Sequence, residues 1–376
     1  MAFIRYPWWA GPAHAVAAVW SLVYLVLGVA WLVGAAGNPA DRAVDEAGSG
    51  LSLLVTLGPR AGAVIITSLA GFGLILLGVL AVMQPARDKV GTARRMLPAL
   101  AFALGLVLAV VLPDYRLLAA IAYTPIVLVL AVAGAVPEGA QVWPWPVLNM
   151  AVLTLAGLAW MVTAVVHHRR LSGACPRCGR GPADPDWTSP RAAARWGRWA
   201  VAVAVAVPLG YAVTRYAWAL GIPLGVRQQL LDDLGPAVYA GAALATLAVA
   251  GAVLTLGLVQ RWGEVFPRWI PWLRGRAVPI GLAVVPAWLV SIVLASAGLM
   301  FVRLAVTGEL AENLPGTTDD VAGWLPEMFW PLWAVALAAA AYAYWLRRRG
   351  RCPDCGRGVM SEADGTTTAA TGRRLE

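Results

Sequence analysis

The chain has 376 residues, of which 60% are hydrophobic and only 13% charged, with a formal net charge of +9. A soluble domain carries roughly a quarter of its residues as charges, so a mean hydropathy of +0.70 excludes an ordinary water-soluble globule and predicts a polytopic, all-α membrane protein. The positive charge is almost wholly arginine, with Lys89 the one lysine, and it stands in short loops beside apolar segments. There it sets orientation and meets anionic lipid headgroups, a pattern that argues against nucleic acid as a partner.

Taken in chain order, Trp8 and Trp9 precede an apolar segment at 13–36 with no small-residue cleavage site, which reads as a retained membrane helix. Apolar segments follow at about 61–84, 97–113, 117–136, 147–166, 199–221, 237–259, 278–303 and 327–346. Most are near the ~20 residues that span a bilayer. Trp143, Trp145, Trp324 and Trp330 at segment ends fit interfacial belts. Between the segments, loop 85–96 carries Arg87, Lys89, Arg94 and Arg95, and loop 167–198 carries Arg169, Arg170, Arg177, Arg180, Arg191, Arg195 and Arg198. Loop 260–277 adds Arg261, Arg268, Arg274 and Arg276, and the C-terminal region opens with Arg347, Arg348 and Arg349. The positive-inside rule places all four on the cytoplasmic side. Three full crossings between the first two loops would separate them, so one segment should not cross.

Internal similarity nominates it. Leu22–Gly34 aligns without a gap on Leu209–Gly221, keeping Tyr, Ala-Trp and Gly at the same spacing. Ala81–Gln84 matches Gly257–Gln260, Asp114–Leu117 matches Phe301–Leu304, and Trp145–Leu148 matches Trp330–Trp333. This predicts a duplication: a first repeat over 1–181, a second over 182–358, and a disordered cytoplasmic tail over 359–376. At the place of segment 117–136 the second half has only the acidic stretch 307–327. The expectation is therefore eight crossings as two parallel four-helix repeats, with 117–136 a re-entrant or interfacial insertion broken at Pro125. The alternative is nine crossings, with the N-terminus outside.

All four cysteines lie in two copies of one motif, Cys175-Pro-Arg-Cys178-Gly-Arg-Gly and Cys352-Pro-Asp-Cys355-Gly-Arg-Gly, each following an apolar segment. Such a turn aims two thiolates at one metal and leaves two positions open, so two knuckles together close a structural tetrahedral Zn2+ site. Neighbouring Arg177, Arg180 and Arg357 favour the thiolate forms. The competing reading is a redox-active CxxC pair, which lacks its usual βαβ context.

Arginine at membrane depth is costly unless paired, hydrated or snorkelling. Arg215 falls well inside its segment, while Arg116 and Arg303 lie near the outer ends of equivalent ones. With Tyr211, Tyr216 and Trp218 they outline a candidate anion or lipid site. The plainer reading is structural ion pairing with Asp114, Glu309, Asp232 or Asp233. The first-half counterpart of Arg215 is Leu27 or a near neighbour. Loop 260–279 interleaves Arg261, Trp262, Phe266, Arg268, Trp269 and Trp272, and Pro267 and Pro271 prevent one long helix. It suits a surface segment on the cytoplasmic leaflet.

Catalytic constellations are missing: no Walker A loop, HExxH, GxSxG or dinucleotide fingerprint occurs. Of the three histidines, His14 sits near the inner end of the first helix, and His167 and His168 lie beside Arg169, where membrane-surface contact is expected. Asp319 and Asp320 read as a solvated turn. The stretches Tyr216–Pro223, Leu254–Trp269 and Ser296–Arg303 resemble a family of uncharacterised multi-pass membrane proteins of actinobacteria, over most of the chain. That resemblance implies a bacterial plasma membrane and supplies no mechanism.

Three functions fit these readings. The first is a transporter or lipid-handling protein that binds an anionic ligand between the repeats at outer-leaflet depth. The second is a membrane scaffold or regulator acting through its zinc module and Arg/Trp loop. The third is an enzyme on a lipid-linked substrate, which the missing acid–base set disfavours.

Overall fold

Backbone polar groups find no water in a bilayer core, so long apolar segments satisfy them internally by forming helices. The computed structural model, which describes residues 10–82, 92–134, 141–182 and 184–358, has that character. Trp8, Trp9, most of loop 85–96 and the tail 359–376 lie outside the described residues. Nine long helices occur among the described residues: α1 Ala10–Leu32, α2 Pro59–Val82, α3 Thr92–Leu106, α4 Tyr115–Val132, α5 Trp145–Leu171, α6 Pro190–Ala219, α7 Ala237–Leu256, α8 Ile280–Thr307 and α9 Trp330–Arg348. A π-helical segment, Val107–Val111, prolongs α3. Seven of the nine are long and apolar enough to span a membrane, the exceptions being α3, which is short, and α9. No strand forms among the described residues; one isolated antiparallel bridge joins Val265 to Ala277.

Local chemistry explains several ends. Ser189 caps α6 by accepting from the Ala192 amide, Asp114 caps α4 through the Arg116 amide, and Gly308 closes α8 in a left-handed conformation. Segment 117–136, expected to break at Pro125, is instead one helix that runs through that proline. Proline removes a single ladder bond, and the helix turn it weakens is braced by Thr124, whose hydroxyl donates to the Ala120 carbonyl at 2.6 Å.

α1 packs along α2 and α5, with α3 against α5; α6 packs along α7 and α9, with α8 against α9. α8 also reaches the π-helical end of α3 and the start of α4, so it joins the two groups. The first core centres on Trp20, Ile66, Leu104 and Trp160, and the second on Val201, Leu294, Leu337 and Tyr344. Without a hydrophobic drive between helices in lipid, small residues permit close backbone approach. A methyl group on Gly157 would lie 2.5 Å from the Gly105 carbonyl, so α3 and α5 touch through their backbones.

Candidate metal centre and buried charges

The two knuckles come together. The Sγ atoms of Cys175, Cys178, Cys352 and Cys355 all lie within 4.8 Å of one another, with Cys175–Cys352 at 3.9 Å and Cys178–Cys355 at 3.6 Å. A tetrahedral zinc with bonds of about 2.3 Å requires sulfur–sulfur edges of about 3.8 Å. The thiols are free, and these separations are far beyond the ~2.05 Å of a disulfide. Four cysteines in this arrangement fit a metal ion, and a four-thiolate shell leaves no position for water.

Each knuckle is built the same way. The amide of Gly179 donates to the Cys175 carbonyl and that of Gly356 to the Cys352 carbonyl, both at 2.8 Å. The returning chain is tied by the Cys175 amide to Arg180 and the Cys352 amide to Arg357, both at 2.9 Å. Gly179 and Gly356 adopt φ of 71° and 68°, a turn conformation that side chains disfavour. Across the two copies the arginines are reciprocal: Arg180 donates to the Arg357 carbonyl at 3.1 Å, and Arg357 to the Arg180 carbonyl at 2.9 Å. Arg177 pairs with Asp354 at 3.1 Å, and Arg349 donates to the Cys178 carbonyl at 3.2 Å. The contacts of Arg177, Arg180 and Arg357 brace one knuckle against the other. Burial and the crowding thiols push Cys178 up to about 12. Burial also raises Cys352, but the amides of Cys355 and Asp354 and the adjacent thiols outweigh it and lower that group.

Arg116, Arg215 and Arg303 have separate partners. Arg215 is 7% exposed. It forms a buried ion pair with Glu327, donates to the Ala322 carbonyl at 2.9 Å, and lies over the rings of Trp218 at 4.2 Å and Tyr211 at 4.7 Å. Arg116 bridges Asp45 at 2.5 Å and Asp114 at 2.7 Å. Arg303 donates to the Leu51 carbonyl. Of the acids proposed from the sequence only Asp114 serves, and it serves Arg116; Glu327 was hidden among residues read as the start of a helix. In register, the counterpart of Arg215 is Gly28.

Two further expectations need correction. Asp320 is buried at 1% exposure rather than part of a solvated turn. It accepts from the Arg227 amide and guanidinium, both at 2.8 Å, and from the Thr317 amide at 2.9 Å. Arg227 and these amides hold its carboxyl well below the usual range. His167 is buried against His14, with Nε2 to Nδ1 at 3.4 Å, rather than spread on a membrane surface. A run of polar residues gave no hint of which face of α5 they occupied.

Loop 260–279 is a folded unit. Trp262 tucks over Gly257, while Trp269 and Trp272 stand 80% and 86% exposed. Its base is held by α9: Tyr344 donates to the Gly263 carbonyl at 2.6 Å, Arg347 pairs with Glu264 at 3.0 Å, and Arg348 donates to the Val278 carbonyl at 2.8 Å. Arg261 and Arg268 flank it without an ion pair to the cysteine module among the described contacts. Comparison with protein-family models, curated proteins and solved structures returns no match for this chain.

Proposed function

We propose that the chain is a non-catalytic membrane scaffold or regulator, in which a structural zinc on the cytoplasmic side fastens two tandem four-helix repeats and fixes the Arg/Trp loop at the membrane surface. One observation carries this reading. The end of α9 that grips loop 258–278 through Tyr344, Arg347 and Arg348 continues within a few residues into Arg349 and Cys352 of the metal centre. Metal, helix and loop therefore move as one body. Arg261, Arg268, Arg274 and Arg276 would meet anionic lipid headgroups, and Trp269 and Trp272 the interface.

The matched packing of α1, α2, α3 and α5 with α6, α7, α8 and α9 supports the duplication. So does the shared separation of 177 residues in every knuckle pair, from Cys175–Cys352 to Arg180–Arg357. Eight crossings follow when α4 is left out. Trp143, just ahead of α5, donates at 2.9 Å to Thr124 in the middle of α4, which supports a helix laid against the entry of α5. Positive loops then face the cytoplasm of a bacterial cell.

The test is metal analysis of the purified protein together with lipidomics. One zinc per chain, lost in Cys175→Ser and Cys352→Ser, is the expected result; a metal-free protein sinks the clamp. A co-purifying anionic lipid that disappears in Arg215→Ala would instead favour the transporter or lipid-handling reading, in which the ligand must displace Glu327 from Arg215. Labelling of loop 85–96 by an impermeant reagent from outside the cell would replace eight crossings by nine.

A further inference from the structure

The seam between α1 and α5 carries a set of polar side chains that the scaffold does not use. On α1 these are His14, Trp20, Ser21 and Tyr24; on α5 they are Asn149, Trp160, Thr163 and His167. Most are separated by three, four, seven or eleven residues, spacings that return to one helical face, and Trp20 stands beside Ser21 on the edge of that face. The two ends are closed by contacts within the protein: His14 meets His167 at 3.4 Å, and Tyr24 donates to Asn149 at 2.7 Å. Between them, Trp20 stacks on Tyr24 with ring centroids 5.1 Å apart. Ser21 and Trp160 meet over Gly73 of α2, where a methyl group would lie 2.6 Å from the hydroxyl and 2.9 Å from the indole ring.

The middle of this seam is unsatisfied. Trp20 Nε1, Ser21 Oγ, Trp160 Nε1 and Thr163 Oγ1 are buried and have no hydrogen-bond partner in the protein. Ser21, Trp160 and Thr163 are 0% exposed and Trp20 is 4% exposed. Buried polar groups are almost always paired, with protein or with ordered water. Serine and threonine in a helix ordinarily have a local carbonyl at hand, and Thr67 on α2 bonds the Ala63 carbonyl in that way at 2.7 Å; Ser21 and Thr163 do not. In register, Val201, Val207, Pro208 and Ala334 stand where the first half has His14, Trp20, Ser21 and Asn149, so these four polar positions have apolar counterparts, while Tyr24 and Trp160 are matched by Tyr211 and Trp345.

We propose that the α1–α5 seam is a binding site for ordered water, a short internal file running from the His14–His167 contact toward the Tyr24–Asn149 bond. The unmet groups are two indole N–H donors and two hydroxyls, with no net charge among them. The indoles need an acceptor and each hydroxyl can donate or accept; with no charged group among the four to offset the desolvation of an ion, a neutral water fits the set. A single methyl group on Gly73 would already press on both Ser21 and Trp160, so the space beside these groups suits only a small ligand.

Hydroxyl-radical footprinting of the full-length protein tests this, because radicals generated from bound water oxidise residues that bulk solvent does not reach. Oxidation of Trp20 and Trp160 at rates well above those of the buried tryptophans Trp31, Trp218 and Trp333 is expected; silence at both overturns the proposal. Thermal midpoints of Thr163→Val and Ser21→Ala supply an independent sign. A dry seam gains stability when an unmet hydroxyl is removed. A hydrated one loses it, so a fall of several degrees is expected and a rise overturns the proposal.

Discussion

At one register of the aligned segments Leu22–Gly34 and Leu209–Gly221, α1 and α6 make opposite choices. Gly28 on α1 lets α2 approach until a single methyl group would lie 2.3 Å from Thr67 Oγ1. Arg215, at the same place on α6, is a large cation held by Glu327, Trp218 and Tyr211. The tyrosine one turn earlier diverges with it. Tyr24 spends its hydroxyl on Asn149, whereas Tyr211 offers its ring face to the guanidinium. The same helical frame thus accommodates polar groups in lipid by neutral hydrogen bonding in one half and by an ion pair in the other. Glu327 exists only where Arg215 does, since the corresponding first-half position is Val142.

The largest predicted effect comes from breaking the ion pair on one side. Glu327→Ala leaves a buried guanidinium uncompensated and is expected to destabilise the protein by about 3–5 kcal/mol. Arg215→Leu combined with Glu327→Leu should recover most of that loss. Thermal unfolding in detergent compares the two; equal damage from the single and double variants would show that the pair is not coupled.

Next comes the close approach at Gly28. Gly28→Ala forces Thr67 and its backbone away and should cost about 1–3 kcal/mol by overpacking, whereas Gly210→Ala on α6, where a methyl group meets nothing within 4 Å, should be nearly neutral. If the two substitutions shift the unfolding midpoint alike, the packing contrast fails.

A smaller loss is expected from Tyr24→Phe, which removes the donor to a buried Asn149 and should cost about 1 kcal/mol. The matched Tyr211→Phe keeps the ring over Arg215 and is expected to change little. Denaturant midpoints for the pair measure the difference directly.

The smallest effect concerns the loop that carries Asp320. Asp320 has a depressed folded-state pKa owing to Arg227 and the backbone amides, so its stabilising contribution is complete above the unfolded carboxylate pKa of about 3.9 and fades as pH falls through the lower folded value. Asp320→Asn should therefore lower stability at pH 7, and the gap to wild type should persist to about pH 4 and narrow only below it. A gap that closed between pH 7 and 5 would assign the effect to another group.

Much of the architecture was legible because its signals are local. An apolar run long enough to span lipid must become a helix whatever surrounds it, and a seven-residue Cys-Pro-x-Cys-Gly-Arg-Gly motif carries its own turn chemistry, so neither needed a partner to be recognised. The failures were of two kinds. Pro125 read as a break, but one missing hydrogen bond did not outweigh the rest of the α4 ladder. Asp320 and His167 read as solvent- or membrane-facing, because sequence does not say which polar residues the packing will enclose.

From sequence alone came the membrane character, the approximate helices, the two knuckles and the expectation that distant segments meet. Only the tertiary structure decided which acid neutralises which arginine. Arg215 and Glu327 are 112 residues apart, and several carboxylates nearer the expected depth were equally available by composition. Coulomb attraction selects among them through distance and desolvation, and both are set by how the helices pack.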